Sequence, residues 1–196
     1  KEFIELTEEQ AEVFILDSVN WGLRNVCRNL VVKDNLESTV LDVGCGNGND
    51  SGRYSCDNYV GVDISAVLLR AARKRHPNHK FLQCDASKMP FRDGEFEFVF
   101  CVSLMEHLHS LQDTRSVLKE MIRVASSRIV ISWHKIPSET RKTEIRTVVP
   151  PVNRHFGHTA WSNTFNTMDL ISGIIDKDKI TITPYGKTCC LWEISK

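Results

Sequence analysis

A chain of 196 residues, 41% hydrophobic and 26% charged, is long enough to bury a core and short enough to be one domain, residues 1–196. Its 25 basic and 25 acidic residues cancel to a formal charge of zero, which argues against nucleic-acid binding driven by phosphate neutralisation. No stretch approaches the roughly 18 consecutive apolar residues of a membrane span. The seven cysteines, at 27, 45, 56, 84, 101, 189 and 190, have no zinc-finger spacing and read as reduced thiols of a cytoplasmic protein. The opening Lys1-Glu2-Phe3 shows neither an initiator Met nor a signal peptide, as expected of a trimmed chain.

Residues 1–37 read as an N-terminal helical segment. Thr7-x-x-Gln10 is a capping-box start, followed by Ala11, Phe14, Ile15 and Val19 at helical spacing. A second piece from Trp21 to Val32 carries Trp21, Leu23, Val26 and Leu30 on one face. Then comes the stretch on which the chain is organised, Val40-Leu41-Asp42-Val43-Gly44-Cys45-Gly46-Asn47-Gly48. A buried strand runs into a turn of three glycines at alternate positions. Such a turn lets backbone lie directly against a ligand and points free N–H groups at it. The spacing is not that of a dinucleotide fingerprint, and no phosphate-loop lysine follows.

From Asn49 to Asn58 the chain has room for a helix of about two turns, with Gly52 in its middle. Tyr59-Val60-Gly61-Val62-Asp63 is a second strand ending in an acid. Asp63 lies 19 residues after Gly44, close to the interval of about 20 at which an acid meets a ribose in doubly wound nucleotide folds. A helix from Ser65 to Arg75 buries Leu68, Leu69 and Ala72. Its basic end, Arg70 to His76, reads as a solvated face or an RNA-facing patch. Lys80–Asp85 is the third strand and Glu95–Val102 the fourth, the latter aromatic and β-branched like a central strand. Asp113–Val124 is a helix with Val117, Leu118, Met121 and Ile122 inward. Val124-Ala125-Ser126-Ser127-Arg128 makes the next turn without glycine before a fifth strand, Ile129–His134. Residues 135–165 lack periodicity, and long loops of this kind are usually functional or mobile. A helix over Thr167–Ile175 and a hairpin of Ile180–Thr183 with Thr188–Ile194 close the chain.

Asp42-Val-Gly-Cys-Gly-Asn-Gly, Val-Gly-Val-Asp63-Ile-Ser, Gln83-Cys84-Asp85-Ala86 and Phe96-Glu97-Phe98-Val99-Phe100-Cys101 stand in the order of the motifs of class I S-adenosylmethionine-dependent methyltransferases, which residues 38–133 resemble. The resemblance implies an α/β/α sandwich, Rossmann-like, with a seven-stranded, mostly parallel sheet of order 3-2-1-4-5-7-6 and strand 7 antiparallel. It implies S-adenosylmethionine as cofactor and S-adenosylhomocysteine as product, held by Asp42, Gly44, Cys45, Gly46, Gly48, Asp63, Ile64, Asp85, Ala86 and Cys101. Arg24, with Trp21, is placed over the cofactor by the same likeness, or packs on the sheet. Glu97 stands where the family commonly has Asp, and Val124–Arg128 where many members have Lys-Pro-Gly-Gly.

Glu106-His107-Leu108 resembles the Glu-His-Leu of many small-molecule methyltransferases. A histidine can take a proton from an incoming hydroxyl or amine, so His107 is the candidate base; alternatively the pair only orders a loop. Glu106, Trp133, His134, His155, His158 and Trp161 are the candidate acceptor contacts, with residues 135–165 as an acceptor lid. A metal held by His134, His155 and His158 is disfavoured, because no carboxylate or Cys lies nearby in sequence. The expectation is a methyltransferase acting on a small-molecule O or N, its oligomeric state open. The rivals are an RNA or protein acceptor, a non-catalytic S-adenosylmethionine-binding accessory protein, and a nicotinamide-dependent oxidoreductase, which the glycine spacing and terminal hairpin oppose.

Overall fold

A computed structural model describes residues 38–133, 135–145, 163–185 and 189–196. The helical segment expected over 1–37, with Trp21 and Arg24, lies outside the described residues. So do His134, His155, His158, Trp161 and the turn 186–188.

Val40–Val43 (β1) is buried at every position, which suits a strand covered on both faces. It lies inside a seven-stranded sheet with Tyr59–Asp63 (β2), Lys80–Gln83 (β3), Phe96–Cys101 (β4), Ala125–Trp133 (β5), Ile180–Tyr185 (β6) and Cys189–Ser195 (β7). The order is β3-β2-β1-β4-β5-β7-β6. β1 pairs in parallel with β2 and β4, and β7 runs antiparallel to both β5 and β6. The expected order and the reversed seventh strand are both present. The switch point falls between β1 and β4, with the glycine turn at the carboxyl end of β1, where ligands sit in open α/β sheets.

Side-chain alternation divides the core between the two faces. On one, Leu69 and Ala72 of the helix Ala66–Arg75 (α1) pack with Val40, Tyr59, Phe98, Phe100 and Val130. On the other, Val117, Leu118, Met121 and Val124 of Leu111–Val124 (α2), with Leu170 and Ile171 of Thr167–Ile171 (α3), cover Leu41, Val43, Val99, Ile129 and Ile131. Each helix start is capped by a side chain. Ser65 Oγ accepts from Leu68 N at 3.3 Å, Ser110 Oγ from Asp113 N at 2.9 Å, and Asn166 Oδ1 from Met168 N at 2.9 Å.

Three elements differ from the sequence reading, the least of them the helix expected over Thr167–Ile175, which stops at Ile171 with Ser172 as its C-cap. The segment after the glycine turn forms a single 3-10 turn, Ser51–Arg53, rather than two helical turns. It is drawn tight against α1: a Cβ at Gly52 would lie 2.9 Å from His76 Cε1. At the other boundary, α2 passes straight into β5, with Ala125 both its C-cap and the first strand residue. No glycine turn is needed, because β5 carries one extra residue between its pairings Phe96↔Ala125 and Phe98↔Arg128. This bulge absorbs the change of direction.

The crossover from β3 to β4 is fastened to α2 by an ion cluster. Arg123 donates from Nη1 to Phe91 O at 2.7 Å and Asp93 Oδ1 at 2.8 Å, and from Nη2 to Met89 O at 3.0 Å. Glu120 Oε1 accepts from Arg123 Nε at 2.8 Å, and its Oε2 accepts from Met89 N at 2.9 Å. The hydrogen bonds from Arg123 hold the Glu120 carboxyl below its ordinary value of 4.5. A depressed carboxyl stabilises the fold above its unfolded pKa, and that stability is lost as pH falls through the folded value. Glu120→Gln should therefore cost about 1–3 kcal/mol near neutral pH. The gap from the wild type should narrow below about pH 4. Urea denaturation of both proteins at the two pH values measures this; an equal gap at both removes the ion cluster from the account.

Candidate functional site

Strand β1 ends at Val43, and Gly44, Gly46 and Gly48 all take positive φ, of 78°, 56° and 75°. These are angles that a side chain disfavours. The turn is sewn to β2 through its backbone: Gly44 N and Cys45 N both donate to Val62 O, at 2.8 and 3.0 Å. Arg75 of α1 reaches in from outside, donating to Asn47 O at 3.2 Å and to Asn49 Oδ1. With only a 3-10 turn following, backbone contacts of this kind, and not a helix dipole, fix the turn.

The three glycines meet different surroundings. At Gly48 an added Cβ would press on Ala72 at 3.0 Å, and at Gly44 on Leu104 Cβ at 3.0 Å; at Gly46 nothing lies within 4 Å. Gly46 N donates to Asp63 Oδ2 at 2.9 Å, and Ser65 N donates to Asp63 Oδ1 at 2.8 Å. The open space at Gly46 therefore lies beside a carboxylate at the end of β2. Burial pushes the Asp63 pKa up from its ordinary value, while the amides of Ser65 and Gly46 pull against that shift. Asp42 is buried beneath the turn, where its Oδ2 accepts from Tyr59 Oη at 2.8 Å. Burial, then the Asp42 charge, raises the Tyr59 pKa far above its usual value.

Further along the same end of the sheet, Ile64 is 46% exposed, and its carbonyl accepts from Gln83 Nε2 at 3.0 Å. Asp85 is exposed and Ala86 half-buried, in a turn where Asp85 Oδ1 accepts from Ser87 N at 2.8 Å. Cys45 and Cys101 contribute backbone to this end, since both side chains are buried in the core. Burial, with Asp42 and Asp63 nearby, raises the Cys45 thiol well above its usual pKa.

At the carboxyl end of β4, Met105–His107 is a 3-10 turn, with Glu106 buried and His107 half-buried. Asn163, 7% exposed, donates through Nδ2 to Glu106 O at 3.2 Å and Leu108 O at 2.9 Å. The two ends of the expected lid segment are joined at its base. Glu144 and Thr164 exchange two backbone hydrogen bonds of 2.9 Å, and Ser138 N donates to Phe165 O at 3.1 Å. Trp133 is 2% exposed and packs on Phe165 and Trp192, at ring separations of 5.6 and 4.9 Å. It is a core side chain here, because alternate β5 positions face the α2–α3 layer. Ser103, whose N–H donates to Ser132 Oγ at 2.9 Å, and Asn163 carry no mark of these attachments in the sequence; only the place of Ser103 just beyond a strand end points that way. Among the described residues no group of three His, Cys, Asp or Glu is placed to hold a metal. No described helix is long and apolar enough to cross a membrane.

Comparison with known proteins bears on this arrangement. Residues 40–127 match a family model described as a methyltransferase domain. The chain is 29% identical over 149 residues to the chloroplastic tocopherol O-methyltransferase of Arabidopsis thaliana, covering 67% of this chain and 42% of that protein. It is 29% identical over 119 residues to the "Probable tRNA methyltransferase 9B" of Mus musculus, covering 60% of this chain and 26% of that one. It thus spans less than half the length of either relative. The crystal structure of the N-methyltransferase NodS from Bradyrhizobium japonicum, in complex with S-adenosylhomocysteine, shares the fold. Its TM-score is 0.67 at 12% identity, with 96% of each chain covered. Residues 40–127, just under half of the chain, thus resemble the methyltransferase-domain family, and the sheet order is that of its fold.

The residues present fit the cofactor of that family. Gly46 leaves a space that a Cβ would enter, Asp63 stands beside it, and Ile64 and Asp85 are exposed further along. Gly46→Ala should cost about 1–2 kcal/mol through its left-handed backbone. It should also weaken S-adenosylhomocysteine about tenfold or more, about 1.4 kcal/mol per tenfold. Gly61→Ala, whose Cβ would lie 2.9 Å from Cys45 Sγ, should instead act on stability, by about 1–3 kcal/mol. Thermal denaturation and calorimetric titration separate the two effects. Unchanged affinity in Gly46→Ala would mean that the space is not the cofactor's.

Proposed function

We propose that this chain is an S-adenosylmethionine-dependent methyltransferase acting on an oxygen or nitrogen of a small-molecule acceptor. The observation that carries the reading is the open space at Gly46 beside the Asp63 carboxylate, at the switch point of the sheet. Asp63 accepts from the ribose hydroxyls; each of its oxygens keeps a second lone pair beyond the backbone amide that it already receives. Asp85 serves the adenine amino group, the Ala86 N–H a ring nitrogen, and Ile64 offers an apolar face. When bound, S-adenosylmethionine supplies a methyl group already activated on a sulfonium.

What the protein adds is mainly orientation, which can supply roughly 7–11 kcal/mol of barrier reduction. His107, half-buried on the turn beyond β4, receives the acceptor's proton where the acceptor arrives protonated. Glu106, His134, His155, His158 and Trp161 are proposed on the acceptor side, and Arg24 over the cofactor. The expected setting is cytoplasmic.

An RNA acceptor is the second reading, favoured by the likeness to a tRNA methyltransferase. The basic end of α1 gives it limited support: Arg73 donates to Phe81 O at 2.9 Å and Arg75 to Asn47 O at 3.2 Å, so two of its cations are occupied in holding β3 and the glycine turn. Retention on heparin at physiological salt would favour RNA. For the cofactor, S-adenosylhomocysteine at a hundred times its dissociation constant should add about 2.7 kcal/mol to stability. That is a rise of roughly 5–11 °C in melting temperature, with none from NAD. A shift with NAD alone would return the oxidoreductase; a shift with neither would overturn the methyltransferase reading.

A further inference from the structure

Ser103 has φ of 61° and is the one non-glycine residue with positive φ among those described. Serine gains nothing intrinsic from that conformation, so its surroundings must impose it. Its N–H donates to Ser132 Oγ at 2.9 Å, and Ser132 is fully buried in β5, with its backbone in register with Leu191 of β7. The hydroxyl is thus a fixed acceptor projecting from a rigid strand toward the second residue beyond β4. The left-handed step at Ser103 sets the direction of Leu104. That side chain lies against the glycine turn: an ideal Cβ at Gly44 would be 3.0 Å from Leu104 Cβ, 3.2 Å from Cδ2 and 3.3 Å from Cδ1. Directly after Leu104, whose carbonyl accepts from His107 N at 2.8 Å, comes the turn carrying Glu106 and His107.

We propose that Ser132 is a positioning residue for cofactor binding, acting through the left-handed backbone of Ser103, which seats Leu104 on Gly44. Ser132 reaches the site through its hydrogen bond from Ser103 N. Its hydroxyl holds Ser103 in a conformation that would otherwise relax to ordinary φ and withdraw Leu104 from the turn. The same anchor ties the acceptor-side turn to the cofactor-side turn, so the two halves of the site keep one relative position. This rests on the reading of the glycine turn as the S-adenosylmethionine site.

The test is calorimetric titration with S-adenosylhomocysteine of the wild type, Ser132→Ala, Ser103→Gly and the double variant, with the melting temperature of each unliganded protein. Ser132→Ala should bind about tenfold more weakly, the scale of one lost hydrogen bond. The double variant should return to within about twofold of the wild type, because glycine takes positive φ without an anchor. A purely structural serine would lower the melting temperature and leave affinity intact, and glycine at 103 would rescue nothing. Unchanged affinity in Ser132→Ala, or a double variant as weak as the single one, overturns the proposal. Should Ser132→Ala fail to fold, Ser132→Cys takes its place, with similar volume and a weak acceptor. A wild type that does not bind S-adenosylhomocysteine overturns the cofactor reading itself, which separates the two failures.

Discussion

The site depends on one half-buried carboxylate. Asp63 receives Gly46 N–H on one oxygen and Ser65 N–H on the other, so a single side chain joins the glycine turn to the start of α1. Removing a charge from water is costly unless hydrogen bonds replace its solvent, and here two backbone amides do so. The consequence reaches both ways. The turn cannot drift while Gly46 is held by Asp63 and while Gly44 and Cys45 are held by Val62 O. The helix in turn starts where Asp63 places Ser65, whose own hydroxyl then caps Leu68.

The turn beyond β4 is held by parts distant in sequence. Ser132 reaches Ser103 across 29 residues, and Asn163 reaches Glu106 and Leu108 across 57 and 55. Arg123 and Glu120 perform the same service for the crossover that follows Asp85. These side chains satisfy main-chain carbonyls and amides that lie outside the helices and strands. Such groups would otherwise cost free energy wherever they are shielded from water. These irregular segments are thus fixed by point attachments from elements distant in sequence.

The central strands and the glycine turn were legible in the sequence because local pattern determines them, whereas the sheet order followed only from the family resemblance that their motifs carry. Apolar runs ending in Asp63 and Asp85, and glycines at 44, 46 and 48, carry the mark of strand ends and of positive φ in their own residue types. The start of β5 was not legible. Ala125, Ser126, Ser127 and Arg128 are polar enough to read as a loop, and become strand only by pairing with β4 and β7. The left-handed conformation at Ser103 was also hidden, since serine bears no sign of it and the group that imposes it lies on another strand. Trp133 was read as facing an acceptor from its place at a strand end; the face on which its indole falls is set by the alternation of β5 against α2 and α3.

The paired base of the segment after β5 has a consequence for how such a protein diversifies. Glu144 and Thr164 are bonded to each other, and Ser138 to Phe165 and Thr167, so the described ends of that segment are held at adjacent, fixed points. Lengthening or replacing what lies between them transmits no strain to the sheet. Each doubling of the span costs only about 0.6 kcal/mol in closure entropy. The stem thus acts as a socket into which segments of different length and composition can be exchanged, while the cofactor end of the molecule stays as it is.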